Sequence, residues 1–247
     1  MKLDILVLAA HPDDAELGCG GTIAKHVALG QKVGIIDFTR GELGTRGSVP
    51  QRDQEARESS SILGLSVREN LNFRDGFFQN DETHQREVIR VIRKYRPDIV
   101  LANAIYDRHP DHGKGSGLSF DSCFYSGLAK IETTDEGVKQ EAWRPKHLYH
   151  FIQPKHLYHF IQSQFLVPDL IVDVSEFWNV KMNAVRAFTS QFYSTESKEP
   201  ETFISSPGFM KLLEARGQEL GFAIGAAYGE GFTVRRTMGI NTLNDLR

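Results

Sequence analysis

The sequence predicts an α/β fold, a doubly wound and mostly parallel sheet with helices on both faces. Two patterns predict it. Nearly continuous apolar runs, such as Leu3 to Ala10 (broken only by Asp4) and Asp98 to Ala104, suit strands covered on both faces. These runs alternate with stretches of helical periodicity, and that alternation is the signature of βαβ units.

Each element follows from its own residues. Leu3 to Ala10 ends at His11-Pro12, and Glu16 to Leu29 reads as a helix stopped by Gly30. Lys32 to Thr39 (KVGIIDFT) completes the opening βαβ unit. A loop rich in glycine and arginine, Arg40 to Gly47, precedes a helix over Gln51 to Leu63 and a short strand at Leu71 to Phe73. Asp81 to Tyr95 is helical, with Val88, Ile89, Val91 and Ile92 on its apolar side, and Pro97 closes it. Asp98 to Ala104 is a buried strand that runs into His109-Pro110-Asp111-His112. Further on come a strand at Asp169 to Val174 and helices at Ser175 to Phe188 and Pro207 to Leu220.

No linker interrupts this pattern, so residues 1–247 read as a single domain. Residues 145–162 hold an exact tandem copy, PKHLYHFIQ twice. Each copy alternates like a strand, with Leu, His and Ile on one side and Tyr and Phe on the other. An odd insertion would turn every later side chain to the wrong face, so one copy should fill the strand and the other be displaced. The copies supply four of the nine histidines, but an H-x-x-H spacing on a strand sends its two rings to opposite faces, which argues against a metal site there.

Composition excludes several classes. A formal net charge of -3 and no long basic run argue against nucleic acid or an anionic membrane as partner. The two cysteines, Cys19 and Cys123, form no C-x-x-C pair and no disulfide framework. No stretch approaches the roughly 20 apolar residues that span a bilayer. The expectation is a cytoplasmic protein.

Two motifs carry chemistry. His11-Pro12-Asp13-Asp14 and His109-Pro110-Asp111-His112 both follow apolar strands, the first at once and the second after Ile105 to Arg108. Both should therefore lie at the carboxyl edge of the sheet, where α/β proteins gather their sites. Imidazole and carboxylate are good zinc ligands, and three ligands leave a coordination position open. A carboxylate beside that position suits a general base. Either motif alone could be a capped turn, with Asp13 or Asp14 as N-cap; two of them after strands of one chain make that reading much weaker. Spacing does not decide which of His109 and His112 would bind a metal. The glycines Gly18, Gly20 and Gly21 do not match a dinucleotide fingerprint.

The run AHPDDAELGCGGT (Ala10 to Thr22), the TRGELGTRG loop and HPDH together resemble the PIG-L/LmbE-like zinc deacetylases of N-acetylglucosaminyl conjugates. The GELGTRG loop and Ser190-Gln191-Phe192-Tyr193 are similar to the branch that acts on N-acetylglucosaminyl-malate in bacillithiol biosynthesis. The resemblance implies a Rossmann-like fold and Zn2+ on His11, Asp14 and His112, with Asp13 as general base. It also implies His109 as a second catalytic histidine oriented and kept charged by Asp111, Tyr193 as a substrate or intermediate contact, and Arg52 and Arg46 as substrate-binding residues. The partner it implies is a small-molecule N-acetylated sugar conjugate, handled by a homo-oligomer such as a hexamer. Two alternatives remain: a deacetylase of another amide, such as a chito-oligosaccharide or thiol conjugate, and a binding protein that keeps the cleft without turnover. The second PKHLYHFIQ copy departs from the family pattern.

Overall fold

The computed structural model describes residues 1–152, 167–193, 197, 199–239 and 242. A seven-stranded sheet organises the molecule. The strands are β1 (Ile5–Ala9), β2 (Val33–Thr39), β3 (Val67–Phe73), β4 (Ile99–Ala102), β7 (His147–Phe151), β8 (Leu170–Asp173) and β9 (Gly229–Thr233). Their spatial order is β3-β2-β1-β4-β7-β9-β8. The first five are parallel; β9 then runs antiparallel to both of its neighbours. A small hairpin of β5 (Thr134–Asp135) and β6 (Val138–Lys139) stands apart. The helices are α1 (Asp14–Ala28), α2 (Val49–Leu63), α3 (Glu82–Tyr95), α4 (Pro110–Tyr125), α5 (Trp178–Arg186) and α6 (Pro207–Ala223). Among the described residues no helix is long and apolar enough to cross a membrane.

The mostly parallel α/β architecture is the one the alternating pattern predicts. Side-chain alternation splits the core in two. Leu6, Leu8, Ile36 and Val100 face one side of the sheet with Val88, Val91 and Ile92 of α3. Ile5, Val7, Ile35 and Leu101 face the other with Ile23 of α1. A third cluster joins Trp178, Met182 and Val185 of α5 to Phe209 and Leu213 of α6.

Three elements differ from expectation. β3 begins four residues earlier than the Leu71 start, because it is an edge strand whose polar residues need no full burial; Arg68 turns in onto Glu16 and Asp37. α4 follows the HPDH turn although its sequence is glycine-rich. His109 accepts from the Asp111 N–H as N-cap, and Pro110 fits the first turn. β9 contains two glycines and a charge, a composition that hides a strand.

That charge explains a break in α1. Cys19 leaves the helical region (φ −146°, ψ 22°), which frees backbone donors just beyond it. Glu230 of β9 accepts from the Gly21 and Thr22 N–H groups at 2.9 and 2.7 Å, and Lys181 of α5 pairs with it at 2.6 Å. Both cysteines are buried and free.

The first PKHLYHFIQ copy supplies β7. Leu148 enters one half of the core while Tyr149 and Phe151 enter the other, as the alternation requires. Phe151 lies flat against α1: a Cβ on Gly18 would overlap its ring. His150 is buried and His147 meets Arg236, so the two rings part as an H-x-x-H strand predicts. The whole of the second copy, residues 154–162, lies outside the described residues, so the expectation that one copy is displaced falls there.

Lys181 and Glu230 are both almost fully buried. Lys181→Met should therefore lower the free energy of unfolding by about 3–5 kcal/mol, since it leaves a carboxylate buried without its cation. Urea denaturation measures the loss.

Candidate active site

β1 and β4 are neighbours whose onward connections diverge, β1 into α1 and β4 into α4, and that divergence opens a crevice at their carboxyl ends. The HPDD and HPDH turns lie there, on the wall of a cleft of about 430 Å³. Asn103, just past β4, ties the two strand ends together. Its Oδ1 accepts from the Ala10 N–H at 2.8 Å, and its Nδ2 donates to Asp14 at 3.0 Å.

Asp14 stands between two imidazoles. Its Oδ2 is 3.4 Å from His11 Nδ1, and its Oδ1 is 3.1 Å from His112 Nε2. The far nitrogen of each ring also meets carboxylates. His11 Nε2 lies 3.0 Å from Asp75 and 3.4 Å from Asp111, and His112 Nδ1 lies 3.4 Å from Asp107. Burial disfavours protonation of His112, but Asp14 and Asp107 outweigh it and hold the ring up at about 9. His11 is likewise raised, by Asp111, Asp14 and Asp75 against its burial. Asp14 is held well below the usual carboxylate range by the two histidines, again against burial.

Asp13 is not a capping residue. It precedes α1 at φ 114°, a left-handed conformation costly for a non-glycine residue, and its side chain makes no cap hydrogen bond. The carboxylate instead faces the cleft, 3.3 Å from Arg52 Nη2. Burial pushes this carboxyl up to about 7, with Arg52 opposing.

His109 reaches the cluster as well, its ring stacked on His112 at 4.8 Å and edge-on to His11 at 4.7 Å. Its relation to Asp111 differs from expectation. The Asp111 carboxylate accepts from the Gly76 N–H, pairs with Lys114 and faces His11; only the Asp111 backbone N–H meets His109 Nδ1. Burial, together with the charges on His11 and His112, pushes His109 down to about 4, so it is neutral rather than kept charged. Because Nδ1 accepts, Nε2 carries the proton.

The remaining predicted residues separate. Arg52 and Arg46 are buried on the cleft wall, but both are engaged by protein. Arg52 donates to the Pro12 and Gly41 carbonyls at 2.5 and 3.4 Å. Arg46 donates to Ser197 at 2.6 Å and pairs with Glu199. Tyr193 is half exposed and does not line the cleft. Phe192 anchors in the third core cluster, which leaves the next side chain outside, and Gln191 is the residue of that segment that reaches the cleft.

Sequence reasoning missed Asp75, Asn103 and Asp107. Asn103 and Asp107 come after a buried strand on the way to HPDH, a position that could have marked them. Asp75 comes from the turn after the edge strand β3 and carried no signal. Among the described residues, two sets of three donors come within 4.8 Å of one another: His11, His109 and His112, and His11, Asp75 and Asp111.

Fold and cluster together define an α/β protein with a histidine–carboxylate centre at its switch point. The chain belongs to the PIG-L family of deacetylases; the family model described as GlcNAc-PI de-N-acetylase matches residues 6–118. Diacetylchitobiose deacetylase of Thermococcus kodakarensis is 32% identical over 200 residues, covering 76% of this chain and 70% of that protein. The probable N-acetyl-alpha-D-glucosaminyl L-malate deacetylase 2 of Bacillus subtilis is 26% identical over 204 residues, covering 77% and 84%. A crystal structure of a conserved protein from Thermus thermophilus superposes with a TM-score of 0.82 at 32% identity, covering 97% of this chain and 98% of that one.

Gly41 has φ +63°, and a Cβ there would overlap Arg52 Nη1. Gly41→Ala should displace Arg52 from Asp13 and destabilise the protein by about 1–3 kcal/mol. A crystal structure of the variant and its melting curve check both effects.

Proposed function

We propose that this protein is a zinc-dependent hydrolase that removes the acetyl group from an N-acetylglucosamine-type sugar, with the metal on His11, Asp14 and His112. One observation carries the reading. His11 Nδ1 and His112 Nε2 flank the two oxygens of one carboxylate, and the opposite nitrogen of each ring is backed by another carboxylate. Metal-bound histidines are held in this way. The donor set fits the ion: nitrogen and oxygen atoms, no thiolate, and three ligands, the number that an open catalytic site uses. The two other donor sets spend His109, or the Nε2 face of His11, on the metal. Both of those groups have a better-defined task here.

When bound, zinc acidifies a water and polarises the acetamide carbonyl. The chain's residues do the rest. Asp13, whose carboxyl is raised toward neutrality and held in place by Arg52, takes the proton of the attacking water. His109 Nε2–H donates to the carbonyl oxygen as negative charge develops there. When the C–N bond breaks, Asp13 returns its proton to the leaving amine. Neutral His109 thus acts as a hydrogen-bond donor, and Tyr193 has no part in the scheme.

The particular conjugate is decided by the outer cleft. A malate aglycone would need free arginines, and Arg46 and Arg52 are already paired. That favours a neutral aglycone such as a second amino sugar, in keeping with the activity named for the Thermococcus relative. The malate conjugate is the second reading. It is supported by Arg108, exposed at the cleft beside Phe203, and by the Bacillus relative.

Three measurements test this reading. Asp13→Ala should keep its zinc by elemental analysis and lose about 10²–10⁴-fold in kcat for acetate release. His112→Ala should lose the metal; full zinc content would remove His112 from the ligand set. Acetate release from N,N'-diacetylchitobiose should exceed release from N-acetylglucosaminyl-malate, and the reverse order selects the malate conjugate.

A further inference from the structure

We propose that Asp75 is a positioning residue that couples the loop at residues 41–47 to His11, so that ordering the loop and binding the metal reinforce each other. The inference rests on His11 being a ligand, as proposed above.

The loop enters the cleft wall through Leu43, Gly44, Thr45 and Arg46, so it meets whatever occupies the cleft. Leu43 is 60% exposed, so burial of its side chain does little to fix the loop. What fixes this part of it is Asp75. One carboxylate oxygen lies 3.0 Å from His11 Nε2, and the other accepts from the Leu43 N–H at 3.0 Å. The Asp75 backbone N–H donates to Glu42 at 2.8 Å, which grips the loop a second time. The two oxygens of a single carboxylate thus serve two masters: a ring whose orientation sets a metal ligand, and a loop that faces substrate.

An imidazole ligand bound through Nδ1 must present its Nε2–H to a fixed acceptor to keep its tautomer and angle. Asp75 can be that acceptor only where the loop holds it. If the loop moves, the carboxylate turns, and His11 keeps only the more distant Asp111, 3.4 Å away. Coupling of this kind is reciprocal in binding free energy. Metal should therefore stiffen the loop as strongly as a rigid loop tightens the metal.

Asp75→Asn separates the two tasks. The amide keeps one acceptor oxygen for two donors, so either Leu43 or His11 loses its partner. Zinc affinity, measured by chelator competition on the metal-stripped protein, should fall by about 10–100-fold. Hydrogen exchange at residues 42–44 should be slower with zinc than without it in the wild type, and this zinc-dependent protection should vanish in the variant. The wild-type comparison needs no substitution, so it holds even if the variant folds poorly. Zinc affinity within about threefold of wild type in a folded Asp75→Asn protein, or loop exchange indifferent to zinc in the wild type, overturns the proposal. His11→Ala separates this failure from failure of the ligand assignment: if that variant binds zinc as the wild type does, it is the assignment that falls.

Discussion

The Asn103 side chain accepts from the backbone at the end of β1 and donates to the carboxylate that opens α1, while its own backbone sits at the end of β4. Two turns almost a hundred residues apart are held in one register by this amide. The parallel sheet brings their strands side by side, but parallel pairing alone leaves the residues beyond each strand free to splay. His150 of β7 adds a third strand to the arrangement, its Nδ1 2.9 Å from the Asn103 carbonyl. The position of Asp14, and through it the convergence of His11 and His112, depends on this chain of contacts.

Around that anchor the protein concentrates more negative charge than a buried site tolerates unaided. Asp13, Asp14, Asp75 and Asp111 are all buried. Each needs a cation or a donor nearby, because an isolated buried carboxylate is strongly disfavoured. Arg52 answers Asp13, Lys114 answers Asp111, and the histidines answer Asp14 and Asp75. A divalent ion between the histidines and Asp14 fits this electrostatic setting. The same setting explains why the second histidine of HPDH and the first have different fates. His112 is surrounded by carboxylates, whereas His109 faces two other imidazoles, so one ring attracts a positive charge and the other repels it.

Much of this was legible in the residues. Apolar runs followed by His-Pro-Asp located both turns, because burial on two faces forces continuous hydrophobicity and the chain must become polar where the sheet ends. Roles that depend on backbone conformation were harder to read. The Asp111 carboxylate turns away from His109 because it is the N-terminal turn of α4 that joins the two, through an N–H, and no spacing rule shows that. Arg46 and Arg52 look like free substrate arginines until the partners brought by folding, Glu199 and Asp13, are seen beside them. Tyr193 lost its predicted place to an anchoring neighbour. Asp75 reaches His11 from 64 positions away, a distance over which local pattern carries no information.

The tandem PKHLYHFIQ falls at an instructive place. β7 is the last of the consecutive parallel strands, and every ligand proposed for the metal precedes it in the chain. Next to β7 the sheet reverses direction, because β9 runs antiparallel to it. The cleft wall is not divided at this point, because Gln191, Thr202, Phe203 and Phe209, all downstream of β7, line it beside the proposed ligands, and Glu199 pairs with Arg46. A change of length at this seam therefore bears on the outer wall of the cleft before it bears on the three proposed ligands.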